Sequence, residues 1–167
     1  MANLFCLSRA RGGVAVVLST LCLALFARPA CADDRGRSTA EYWNKVKTIL
    51  QEEEPAANAT LEEKISGLQN AARRIDDLSA RGVDEEAVDV ADKMVELLNR
   101  AAAYLDDYGT PERGFKSGFR DGLNNNPTRA IDEQQAIKDM LEEMKQAESK
   151  ARKHLEARYN IDLPSLK

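Results

Sequence analysis

From Leu61 to Ile75, and again from Ala87 to Tyr108, the apolar residues advance along the chain in alternating steps of four and three. The first run is Leu61, Ile65, Leu68, Ala72 and Ile75. The second is Ala87, Ala91, Met94, Leu98, Ala101, Leu105 and Tyr108, with Val95 and Ala102 widening the stripe. Side chains three and four apart share one face of an α-helix, so this rhythm builds a continuous apolar seam only if both stretches are helical. No stretch alternates apolar and polar residues as a half-buried strand requires. An aromatic content of 5% fits the same reading, because it leaves an Ala, Leu, Glu and Lys composition of helical type. The predicted fold is therefore all-α: an antiparallel helical bundle of three long helices plus one or two short ones, with coiled-coil-like seams.

Local signals set the expected boundaries. Ser38-Thr39-Ala40-Glu41 and Thr60-Leu61-Glu62-Glu63 both read as capping boxes, in which each polar side chain meets a backbone N–H left without a partner at a helix start. They open predicted helices over 39–53 and 61–81, with Trp43, Val46 and Leu50 on one face of the first. Pro55 closes the first, since proline has no N–H to donate and displaces its predecessor from the helical region. Gly82 is expected as a left-handed stop for the second helix. Asp84 caps a third over 85–108, with Val83 and Val88 placed as a hydrophobic staple. Asn126-Pro127 opens a fourth over 127–159, which carries Ile137, Leu141, Met144, Ala147, Ala151 and Leu155 inward. Residues 33–37 and 161–167 remain as tails.

The first 32 residues read as a secretion signal. Arg9 and Arg11 precede an apolar run from Gly13 to Ala27, and Ala30-Cys31-Ala32 offers the small-x-small pattern cut by signal peptidases. The run is shorter than the roughly 20 residues a membrane-spanning helix needs. Cleavage after Ala32 would remove all three cysteines (Cys6, Cys22, Cys31) and leave 135 residues. Lipidation of Cys31 is the other reading of the same site, although Arg28-Pro29-Ala30 lacks the aliphatic residue that a lipoprotein signal carries three positions upstream. The segment holds three of the 24 basic residues and none of the 28 acidic ones, so the exported part has 21 against 28, a net charge of −7. Such a balance disfavours nucleic acid and anionic membranes as partners.

Chemistry-bearing constellations are few. His154 is the only histidine and lies in a basic tract with Lys150, Arg152, Lys153 and Arg158. Cations at a helix C-terminus complement its dipole, which is the plainer account; the functional one is an anion or acidic-partner site. One histidine completes a zinc set only with several carboxylates, no Glu-x-x-His pair exists for a di-iron centre, and no cofactor or metal is expected. Paired acids at Glu52-Glu53-Glu54, Asp76-Asp77, Glu85-Glu86 and Asp106-Asp107 read as solvated faces and helix starts. Asn124-Asn125-Asn126 beside Asp121 lacks the ligand pattern of a calcium loop. Asn58-Ala59-Thr60 matches the N-glycosylation acceptor pattern.

The unusual segment is the connector 110–125, where Gly114, Gly118 and Gly122 stand four apart with Phe115 and Phe119 beside two of them. One reading makes it a docking or membrane-surface element, with glycines as a flat strip and Phe115, Phe119 and Leu123 as an apolar ridge. The other makes the phenylalanines a bundle cap and the glycines tight turns. Trp43 has the same two readings, partner anchor or core. The expected function is non-catalytic: a secreted or periplasmic bundle that binds an unknown protein partner or associates with itself. The alternatives are a carboxylate-dependent metal-binding protein or enzyme whose site forms only in three dimensions, and peripheral membrane attachment through Phe115 and Phe119.

Overall fold

The computed structural model describes residues 30–110 and 128–166. Its helices are α1 (Ala30–Glu52), α2 (Leu61–Asp76), α3 (Glu85–Tyr108) and α4 (Thr128–Tyr159), and no strand occurs among the described residues. The protein is an all-helical bundle. No described helix is long and apolar enough to cross a membrane. Residues 1–29 of the 1–32 segment read as a secretion signal, and the Asn126-Pro127 start, lie outside the described residues. So do Gly114, Phe115, Gly118, Phe119 and Gly122 of the connector.

α1 and α3 form the centre of the bundle. Each touches every other helix, whereas α2 and α4 flank them and do not meet. This explains why α3 is buried over a wider arc than its seam predicts: Val90 and Leu97, outside the four-and-three rhythm, are as inaccessible as Ala87, Ala91 and Met94. α2 turns back on α3, and α4 runs antiparallel to α3 on the other side, tied by the forked contact of Arg100 with Glu133 at 2.7 and 3.2 Å. α1 lies in the furrow between α2 and α4. Trp43, Val46 and Ile49 point inward from it, against a core that includes Ile75, Val90, Met94, Ala151 and Leu155. Full burial of aliphatic and aromatic side chains such as Ile75, Leu155 and Trp43 contributes about 1.5–3 kcal/mol each.

Two helix ends differ from expectation. α1 begins at Ala30, not at residue 39, so Ser38-Thr39-Ala40-Glu41 is helix interior and forms no capping box. Thr39 is completely buried instead; its hydroxyl donates to the Arg35 carbonyl at 2.8 Å and accepts the Asp84 backbone N–H at 3.0 Å. The cap-type residue is used between helices rather than at a helix start. α2 ends at Asp76, five residues short of the expected 81, and Asp77 caps it. Gly82 does adopt a left-handed φ of 77°, but in the turn that enters α3, where the Val83 N–H donates to the Ala80 carbonyl. The other capping box forms as read: the Thr60 hydroxyl accepts the Glu63 N–H at 3.2 Å and the Glu63 carboxylate accepts the Thr60 N–H at 2.7 Å.

Past α4 the chain reverses at Asn160, whose φ of 53° is the left-handed helix exit that asparagine tolerates best after glycine. The last residues then return as an extended strap between α1 and α4. Leu163 and Leu166 are buried, and the Trp43 indole N–H donates to the Pro164 carbonyl at 2.8 Å. The tail is part of the core.

Candidate binding cleft

Two features of the molecule bring chemistry-bearing residues together, and they do different things. At the lower end, where α1, the start of α3 and the end of α4 meet, Asp84 is the hub of a polar knot. Oδ1 accepts the Glu86 N–H at 3.0 Å, capping α3; Oδ2 accepts the Tyr159 hydroxyl at 2.6 Å and an Arg158 guanidinium N–H at 2.8 Å. Burial by itself would raise the Asp84 carboxyl. The bonds from Tyr159, the Glu86 amide and Arg158 outweigh it and hold the group below the usual carboxylate range. Burial and the bond to Asp84 push the Tyr159 phenol up. Arg158 also reaches Glu86 at 3.1 Å, and His154 Nδ1 lies 3.1 Å from the same carboxylate. The basic tract read as an anion site is thus divided: His154 and Arg158 are held by acids of α3, and Arg152 sits 3.8 Å from Glu148. With Thr39 of α1, Glu86 of α3 and Arg158 and Tyr159 of α4 all bonded to one aspartate, the knot fixes three helices in register.

Higher in the bundle, above the end of the strap, α1, α3 and α4 leave an open cleft of about 400 Å³. Leu50 supplies one wall, Met94, Leu97 and Leu98 the base, and Leu141 and Met144 the opposite wall. Leu166 of the strap closes its lower end, and the polar side chains Gln51, Glu54, Lys145 and Glu148 border it. The local reason is geometric. α1 ends at Glu52 ahead of Pro55, and among the described residues no further helix lies over the α3 and α4 seams above Leu166. Ligand sites fall in a similar volume range, about 300–1,000 Å³, and are mostly apolar with a few polar groups. The two methionines give the base and wall adaptable shapes.

Of the interaction residues singled out from sequence, Trp43 alone is among the described ones, and it falls elsewhere. Trp43 is 1% exposed, so it belongs to the core and offers nothing to a partner. A surface hollow beside the 53–60 linker is bordered by Glu52, Glu53, Glu54 and Glu63, but Glu52 and Glu53 bind Arg74 at 2.6 and 2.7 Å and Glu63 caps α2. Among the described residues no three His, Cys, Asp or Glu side chains lie close enough to share a metal ion. Asn58 is exposed in the same linker. The cleft itself was hidden in plain view: Met94, Leu98, Leu141 and Met144 all stand in the predicted seams, and only the positions of the α1 end and the strap determine which part of a seam stays uncovered. No family model, curated protein or solved structure matches the chain.

Proposed function

We propose that this chain is an exported, non-catalytic helical bundle that works by binding another protein, and that the cleft between α1, α3 and α4 receives it. The observation that carries this reading is the open cleft based on Met94, Leu97 and Leu98, in whose lining Leu50, Leu98 and Leu141 stay partly exposed. Leucine and methionine clefts between helices take the apolar face of a partner segment, and burying that face supplies the affinity. The signal-like first 32 residues support export. Among the described residues, the polar groups around Asp84 and Arg74 are engaged in joining helices, which favours the cleft as the place where the molecule meets something else.

Light scattering after size exclusion, on the exported chain with extract of its own source, tests the reading. The reference variants are Leu141→Ala in the cleft wall and Lys93→Ala on an exposed position of α3. The expected result is one complex of defined mass, with a partner or a second copy. Leu141→Ala weakens it about tenfold, the scale of a truncated interface anchor, and Lys93→Ala leaves it intact. Complexes that respond equally to both variants, or to neither, contradict the cleft assignment.

A further inference from the structure

The cleft has an electrostatic character as well as an apolar one, and it is uneven. Four polar side chains border it, of which Gln51 is neutral and Lys145 is already met by Glu142 at 2.7 Å. The remaining two are acids. Glu54 is exposed and has no ion-pair partner among the described residues. Glu148 is only 4% exposed, and its contacts there are long: the Leu166 N–H at 3.4 Å and Arg152 Nε at 3.8 Å. A carboxylate offers about four lone-pair positions, and one buried beside leucine and methionine side chains gains strongly from a close cation. The groove also has a demonstrated taste in occupants. Directly below the cleft it is filled by a peptide, the chain's own strap, which lays Leu163 and Leu166 between α1 and α4.

Resting on the cleft reading above, we infer that the partner segment is basic and amphipathic: an aliphatic face that continues the strap's packing, bearing a lysine or arginine that meets Glu148 at the lower end and Glu54 on the rim. The apolar base supplies affinity, and the two acids select against neutral or acidic segments of equal hydrophobicity.

The test is fluorescence anisotropy with two short labelled peptides that share leucines at helical spacing, one with lysines and one with glutamates at the polar positions. Each is titrated with the exported chain and with its Glu148→Gln, Glu54→Gln, Leu141→Ala and Asp89→Asn variants. Asp89 is exposed on α3 and is not among the cleft residues, so Asp89→Asn changes net charge alone. The lysine peptide is expected to bind about tenfold or more tightly than the glutamate peptide. Glu148→Gln and Glu54→Gln should each erode that preference several-fold while Asp89→Asn leaves it unchanged. Erosion by all three acid variants alike means overall charge is being read and overturns the inference. Equal binding of both peptides, weakened by Leu141→Ala, overturns the inference and keeps the cleft reading. Binding of neither peptide removes both.

Discussion

At the scale of single residues, Asp84 and Gly36 carry more of the fold than their surroundings in the sequence suggest. Asp84 caps α3, receives Tyr159 and Arg158, and through its backbone N–H reaches Thr39. Replacing it with asparagine keeps the shape and removes the charge, so Asp84→Asn should cost about 2–3 kcal/mol at pH 7, the scale of hydrogen bonds to a charged acceptor, with little credited to the half-exposed Arg158 itself. The folded carboxyl titrates below its unfolded value. Its contribution is therefore complete above the unfolded pKa of about 3.9 and is lost as pH falls through the lower folded one. Urea midpoints should show the gap between wild type and Asp84→Asn wide at neutral pH and narrowing in acid; a gap that is constant with pH contradicts the ionised role. Gly36 meets Tyr159 so closely that an added Cβ would stand 2.9 Å from the Tyr159 Cβ. Helix propensity favours alanine there by about 1 kcal/mol. Overpacking costs about 1–3 kcal/mol, so Gly36→Ala should lower the melting temperature rather than raise it. Neither effect is legible locally: Asp84 reads as a cap and nothing more, and Gly36 as one more residue of a tail, because both depend on what α4 brings to them from more than 70 positions away.

At the scale of elements, what periodicity encodes was readable and what long-range contact decides was not. The seams of α2, α3 and α4 were legible because each repeats at helical spacing along a buried face, and the Thr60 capping box because all its partners lie within three residues. The α1 start misled because Ser38 and Glu41 have the chemistry and spacing of a capping box, whereas eight further helical residues precede Ser38 and Thr39 is held by a buried bond to Asp84. The strap was invisible, since two leucines and a proline in seven residues make no pattern until Trp43 supplies a donor to the Pro164 carbonyl. Its weight is testable. Leu163 is 2% exposed, so Leu163→Ala should destabilise the bundle by about 2–4 kcal/mol, measured by chemical unfolding. A loss below about 0.5 kcal/mol, typical of surface changes, would mean the strap is not part of the core.

At the scale of the molecule, the arrangement explains its own opening. α1 and α3 share the centre, α2 and α4 stay apart, and the strap fills the α1–α4 furrow as far as Leu166, so among the described residues the seams of α3 and α4 beyond it border an open cleft. The all-α bundle was legible from the chain alone. The cleft was not, since an apolar stripe looks the same whether or not a neighbour lies on it. The central claim is that a partner occupies this cleft. Photocrosslinking addresses it most directly: a photoreactive side chain in place of Leu98, in the chain expressed in its own source, with the same group in place of Lys93 as the outward reference. The account predicts one adduct of defined mass from position 98 and none from 93. The absence of an adduct at 98, or equal adducts at both positions, would contradict it.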